Sequence, residues 1–266
     1  MNYYIDNISN EELQKYASLG IDTKFPYTTI DEKNDVEISI GIENRILYIS
    51  FLGSISKKDW LHNFMFWKKP YKRMNKLFFV HSGFLKIYKT CRPVVHTWLQ
   101  KIDEYDTIIL SGHSMGAAIA TLCLEDISFI KEEHLIPMRN KTITSIVTAS
   151  PRVFSIFGSK IVNSRCDSLI RIIYKNDGVP TVPPALFLYK HVGMVKQFGK
   201  RGLPWFIFPS SVYHHSIANY RNLTDLSKSN SNNNELYEDI VNMYRNIYAI
   251  ASWAIISITL SLLILL

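Results

Sequence analysis

Residues 105–126, YDTIILSGHSMGAAIATLCLED, decide how the rest of the chain is read. An apolar β-type run, Thr107 to Leu110, leads into Gly112-His113-Ser114-Met115-Gly116. The chain then continues through Ala117, Ala118, Ala120, Leu122 and Leu124, a strongly helix-forming composition. Strand, Gly-x-Ser-x-Gly and helix in that order make the pattern of a nucleophile elbow. The tight turn presses neighbouring backbones together and leaves no room for a Cβ at the glycines. Ser114 is thereby expected at the tip of a sharp turn, beside the free N–H groups of the helix N-terminus. The pentapeptide alone arises by chance in roughly one chain in ten of this length. Partners elsewhere have to supply the specificity.

With 47% hydrophobic and 20% charged residues in 266, the chain has ample material for a core and is not of a disordered class. Cys91, Cys123 and Cys166 are odd in number and widely spaced, which fits reduced thiols better than a disulfide framework or a zinc site. The opening MNYYIDNISNEELQKY is acidic and lacks a signal-peptide pattern. Its Ser9-Asn10-Glu11-Glu12 is a capping box for a helix to about Leu19, ended by Gly20. The net charge of +7 is concentrated: Lys57, Lys58, Lys68, Lys69, Lys72, Arg73 and Lys76 stand against Asp59 alone between Ser54 and Phe79. No nucleic-acid recognition motif accompanies this charge, so no nucleic-acid partner is expected. Interleaved aromatics, Trp60, Phe64, Phe66, Trp67 and Tyr71, give the stretch the make-up of a membrane-surface segment.

Val36 to Ile42 and Arg45 to Leu52 alternate and are β-branched, with Glu43-Asn44 as the hairpin turn between them. Lys76 to His81 reads as a strand, and Leu85 to Lys101 as an amphipathic helix with Pro93 at a kink or a new first turn. After the elbow come a buried strand, Thr142 to Ala149, a short helix, Phe157 to Asn163, and a strand, Ser168 to Tyr174. Strands alternating with helices predict an α/β domain with a largely parallel sheet flanked by helices. Residues 226–235, LSKSNSNNNE, read as a polar linker. Ile247 to Leu266 is free of charge and long enough to cross a bilayer as one transmembrane helix. The expected organisation is a domain over 1–225, a linker and juxtamembrane segment over 226–246, and a membrane span over 247–266. A run at the C-terminus predicts a tail-anchored, single-pass membrane protein with its main domain on the cytosolic side. The sequons at Asn7, Asn140 and Asn222 would then carry no glycan.

A serine nucleophile needs a base to take its proton and a third group to orient that base. On the elbow fold the partners follow in the order serine, acid, histidine. Asp177 stands where a strand ends, in Asn176-Asp177-Gly178, a pattern that equally serves as a plain turn. His191, His214 and His215 are the downstream histidines. A developing oxyanion requires two donors. The Met115 N–H follows the nucleophile directly, and Ser54, after Phe51-Leu52-Gly53, is placed to supply the other. The scattered histidines carry no metal-ligand motif, so neither metal nor cofactor is expected.

Taken together, FLGS with SKKDW (51–60), VHSGF (80–84), GHSMGAAIATL (112–122), ASPRVF (149–154), KNDGVPTVPP (175–184), YKHVG (189–193) and HHSIANY (214–220) resemble, in order, the class 3 lipases. This is the α/β-hydrolase group of the fungal triacylglycerol lipases, and the resemblance covers roughly residues 36 to 223. It implies an α/β-hydrolase fold and a lipid ester substrate, of triacylglycerol or phospholipid type. It further implies Ser114 as nucleophile, Asp177 as acid and His215 as base, with His214 as runner-up. Ser54 and Met115 take the oxyanion-hole positions. The segment holding Trp60, Phe64 and Trp67 falls where the family has a lid, and is expected to dock on anionic lipid with help from Lys68, Lys69, Lys72 and Arg73. Two positions depart from the family: Leu52 stands where it usually has Arg, and Ala117 where it has a second Gly. The disulfides of its secreted members have no counterpart. An acyltransferase using the same triad, or a lipase-like scaffold binding lipid or protein without turnover, is the alternative.

Overall fold

Period-two alternation at the start of the chain produces a β-meander: β1 (Tyr27–Asp31), β2 (Val36–Glu43) and β3 (Ile46–Phe51) pair antiparallel in sequence order. The β2–β3 turn is Asn44-Arg45, one residue later than the sequence suggested, and both residues have positive φ, 51° and 60°. Such a turn matches the right-handed twist of the strands it joins. Arg45 is an unusual occupant of this conformation. Its guanidinium is held by Asp106 at 2.5 and 2.9 Å and by the Asp103 carbonyl at 3.2 Å. The computed structural model describes residues 23–32, 36–52, 67–73, 76–133, 138–198 and 215–221. The predicted helix near residue 10, the linker at 226–235 and the run 247–266 lie outside these. The domain boundaries expected near 225 and 246 lie outside them too. Among the described residues no helix is long and apolar enough to cross a membrane.

The chain divides into two compact units, Met1–Ile173 with Val179–Lys196, and Tyr174–Gly178 with Gln197–Leu266. In the first, β6 (Thr107–His113), β7 (Thr142–Thr148) and β9 (Ser168–Tyr174) extend the sheet from β3, all parallel. With β11 (Met194–Phe198) the order among described strands is β1-β2-β3-β6-β7-β9-β11. A second sheet has the order β10-β8-β5-β4: β10 (Tyr189–Lys190), β8 (Phe154–Ser155), β5 (Lys76–His81) and β4 (Lys68–Arg73). The strand at Lys68–Arg73 is a finding the basic, Pro70-containing sequence concealed. It pairs along its whole length with β5.

Among the described residues three α-helices belong to this unit. α1 (Ser82–Leu99) starts three residues earlier than expected, because His81 Nδ1 accepts the Phe84 N–H at 3.3 Å and caps it. The helix runs through Pro93 without ending. α2 (Met115–Glu132) packs on β6, β7 and α1, and every residue from Met115 to Ile130 is buried. α3 (Ile156–Arg165) is capped by Ser155 Oγ, which accepts the Gly158 N–H at 3.2 Å. Cys91 and Cys123 are buried thiols outside any disulfide, and Cys166 is a half-buried one.

Complete burial of α2 takes two carboxylates into the interior, Glu125 and Asp126, both without exposure. Buried charge is tolerated only when paired and hydrogen-bonded. Glu125 accepts from Tyr71 OH at 2.8 Å, Arg73 at 3.0 Å and Arg165 at 2.8 Å. Asp126 accepts from Arg73 at 2.5 Å, Tyr88 OH at 2.7 Å, Arg92 at 2.8 Å and His96 Nε2 at 2.7 Å. The Phe129 ring lies between the Arg73 and Arg165 guanidinium groups, 4.7 and 5.2 Å away. Burial alone would push the Asp126 carboxyl up; hydrogen bonds from His96 and Arg92, with the Arg73 charge, outweigh it and hold it well below its usual range. Arg73, expected to face lipid, is therefore a structural cation that locks β4 to α2.

Candidate active site

β6 ends in the turn that the Gly-x-Ser-x-Gly pattern required. A Cβ on Gly112 would lie 2.5 Å from the Gly116 carbonyl carbon and oxygen and 2.8 Å from the Ala117 nitrogen, closer than atoms can approach. Strand and helix backbones meet there, and only glycine fits. Ser114 sits at φ 58°, ψ −118°. Such a conformation costs a serine about 1–3 kcal/mol and persists only where its surroundings over-determine it. Those surroundings are explicit: the Ser114 N–H donates to the Thr148 carbonyl at 3.0 Å, and its carbonyl accepts the Ala118 N–H at 3.3 Å. His113 is pinned to Thr148 Oγ1 through Nδ1 at 2.9 Å. The serine side chain makes no cap on α2. Met115, the first residue of that helix, contributes its N–H to the N-terminal end where negative charge is favoured.

β3 and β6 finish level, Phe51 opposite Gly112. Chain leaving β3 thus departs from the same edge of the sheet as the elbow. Directly behind, Ser50 and Ser111 pair across the two strands through their hydroxyls at 2.6 Å, both buried. Ser54, Trp60, Phe64 and His214 lie outside the described residues. Trp67 is described and is 68% exposed, immediately before β4.

In the second unit the chain turns sharply after β9. Lys175 takes φ 41° and donates its N–H to the Phe198 carbonyl at 2.7 Å, and the Asp177 N–H returns to the Tyr174 carbonyl at 3.0 Å. The Asp177 carboxylate, 2% exposed, meets His215 Nδ1 at 3.1 and 3.0 Å and accepts the Tyr220 hydroxyl at 2.5 Å. A carboxylate on Nδ1 selects the tautomer with the proton there and leaves Nε2 as the base. Tyr220 comes from a short helix, α4 (Ile217–Arg221), and its hydroxyl also accepts the Tyr174 N–H at 3.1 Å. Burial, and then the neighbouring Asp177 charge, raise the Tyr220 phenol well above its ordinary pKa, so it stays a donor.

Among the described residues His215 is the histidine that Asp177 meets. His191 is engaged elsewhere, its Nε2 2.7 Å from the Pro180 carbonyl. Tyr220, which donates to Asp177, is a residue that sequence reasoning met only inside the HHSIANY block. Its place in HHSIANY, one helical turn after the histidine pair, was the signal that could have found it.

A family model described as lipase (class 3) matches residues 48–187. Among curated relatives, a lipase of Rhizomucor miehei is 28% identical over 170 residues, which cover 63% of this chain and 46% of the relative. Phospholipase A1-Ialpha2 of Arabidopsis thaliana is 26% identical over 283 residues, covering 90% of this chain and 54% of the relative. The chain spans about half the length of these relatives. Among solved structures, Rhizomucor miehei triacylglyceride lipase superposes with a TM-score of 0.62 at 22% identity, over 72% of this chain and 82% of that one. The fold is thus the α/β-hydrolase fold with a mostly parallel central sheet. With the family model matching more than half of its length, the chain belongs to the class 3 lipase family.

Proposed function

We propose that the chain is a serine hydrolase cleaving carboxylic esters of lipids, with Ser114, His215 and Asp177 as its triad. The observation that carries this reading is the buried Asp177 carboxylate on His215 Nδ1, which prepares Nε2 to accept a proton. Ser114 Oγ attacks the ester carbonyl carbon while its proton passes to His215 Nε2. The carbonyl π electrons move onto oxygen, where the Met115 N–H and Ser54 stabilise the negative charge. Collapse of the tetrahedral intermediate breaks the C–O bond, and His215 returns the proton to the departing alcohol. Water, deprotonated by the same histidine, then releases the fatty acid and regenerates Ser114. Asp177 stays ionised and holds the imidazolium, and Tyr220 steadies Asp177. Each step uses groups of this chain and one water.

Membership of a family with both triacylglyceride lipase and phospholipase A1 relatives supports lipid esters as the substrate class. The uncharged run 247–266 supports attachment to a bilayer as a single span, and Trp60, Phe64 and Trp67 take the lid and interface role. Labelling by a fluorophosphonate probe should be abolished in Ser114→Ala. Fatty-acid release from vesicles mixing triacylglycerol and phospholipid, wild type against Ser114→Ala, identifies the lipid cleaved. Labelling that survives the substitution sinks the triad. Resistance of the full chain to alkaline extraction from membranes tests the span. Asn140 lies in an exposed turn, so glycan at its sequon reports which side of the membrane that turn occupies.

A further inference from the structure

Between α1 and β4 lies a cleft of about 590 Å³, a size that takes a small molecule. Residues three and four apart are neighbours on a helix surface, so Leu85, Lys89, Arg92 and His96 form one stripe of α1. These four line the cleft, and β4 adds Lys72 and Arg73. No carboxylate is among the lining residues. The acids of this region, Glu125 and Asp126, are wholly buried and already engaged. Three arginines, Arg73, Arg92 and Arg165, meet these two carboxylates, which leaves the clamp one positive charge in excess. Lys72 and Lys89 add two more at the cleft. Both are exposed, and among the described residues neither ammonium group has a hydrogen bond or ion pair. A concavity lined by one sign of charge concentrates counter-ions of the other.

Arg92 is the part of this cleft that is built in advance. Its Nε and Nη2 donate to Asp126 at 2.8 and 3.2 Å, which fixes the plane of the guanidinium. Asp126 is held well below its usual range, so it stays charged and keeps that orientation at neutral pH. The Arg92 side chain is nonetheless 42% exposed, and its Nη1 has no partner among the described residues. A planar guanidinium offers paired donors that match phosphate oxygens, and an ammonium beside it adds a point charge. Pro70 and Pro93, both exposed, give the lining apolar surface for the carbon part of a ligand. We propose that the α1–β4 cleft binds a small phosphorylated molecule, its phosphate held by Arg92 and Lys89 with Lys72 adding charge. The site stands apart from the proposed nucleophile and does not depend on the hydrolase reading. Asp126 lies twelve residues beyond Ser114 on α2, about 18 Å along the helix.

The test is calorimetric titration of the full chain with inorganic pyrophosphate, with sodium chloride holding the ionic strength constant. One saturable site is expected. Lys89→Ala should weaken it about tenfold, the loss of one charge-assisted hydrogen bond. Removing Lys72 as well should weaken it further. Neither lysine takes part in the clamp around Glu125 and Asp126, so both variants keep the fold's buried ion pairs. Lys86→Ala is the control: it removes the same charge from an exposed residue of α1 that does not line the cleft, and should bind as wild type does. Equal weakening in Lys86→Ala overturns the proposal, because attraction would then follow net charge alone. Absence of binding to pyrophosphate overturns it too. Vesicles of phosphatidylcholine with phosphatidic acid separate a free phosphate ester from a lipid headgroup. Lys89-dependent binding to the vesicles without any response to pyrophosphate would assign these cations to a membrane surface and sink the small-molecule site.

Discussion

The two ends of the helix Met115–Glu132 are built on opposite terms. At its start, Ser114 holds a left-handed φ of 58° with few atoms to spare around Gly112. Toward its end, Glu125 and Asp126 are saturated by three arginines, the His96 imidazole and two phenols. The first end is strained and the second is clamped. Strain survives only where neighbouring structure leaves no relaxed alternative, which at Ser114 is the Gly112–Gly116 contact with the Thr148 and Ala118 bonds; the clamp instead fixes the helix. It joins the elbow helix to β4 through Arg73, to α1 through Tyr88, Arg92 and His96, and to α3 through Arg165. The proposed nucleophile and the clamp thus sit at the two ends of one helix, more than two turns apart.

Substitutions at either end should separate these roles. Ser114→Ala should lower kcat/KM on a lipid ester by about 10⁴-fold or more, with the urea midpoint almost unmoved; a large loss of stability would show the elbow to be structural as well. Asp126→Asn should cost about 3–5 kcal/mol in urea unfolding, because it leaves Arg92 beside a neutral amide and takes from Arg73 one of its two carboxylates. A cost near zero would break the comparison, leaving the clamp idle. The pH dependence has a definite sign. The folded Asp126 pKa is depressed, so its stabilisation is fully present above the ordinary aspartate value and is lost as pH falls toward the folded value. Acid unfolding should therefore be shallower in Asp126→Asn than in wild type. Tyr220→Phe should reduce kcat about tenfold, since Asp177 loses a hydrogen bond and the Tyr174 N–H loses its acceptor. A pH–rate profile that shifts along its acid limb would mark Tyr220 as positioning the Asp177–His215 pair.

The elbow was legible because its constraint is local: Gly112, Ser114 and Gly116 lie within five residues and the steric demand is written in them. Asp177 was legible from its place at a strand end, although the same Asn-Asp-Gly reads as an ordinary turn. Choosing His215 over its neighbour His214 required the resemblance to a family; His215 Nδ1 meets Asp177, while His214 lies outside the described residues. The clamp was not legible. Glu125 and Asp126 look like the solvated end of a helix, and nothing near them in sequence announces that Arg73, Arg92 and Arg165 converge there. Lys68–Arg73 hid its strand in the same way, since four cations and Pro70 resemble a solvent-facing segment more than a paired one. Local pattern reveals turns and strand ends; buried charge is decided by partners 30 to 54 residues distant.

The smallest of these effects concerns the Ser50–Ser111 hydroxyl pair behind the elbow. Replacing either serine with alanine leaves the other hydroxyl buried without its partner, at a cost of about 1–3 kcal/mol, whereas replacing both should be nearly neutral. A double-mutant cycle in urea measures the difference. Viewed as inheritance, the two positions behave as a single character written in two codons 61 residues apart. A lineage can keep both hydroxyls or lose both, but it crosses a valley in stability if it changes one alone.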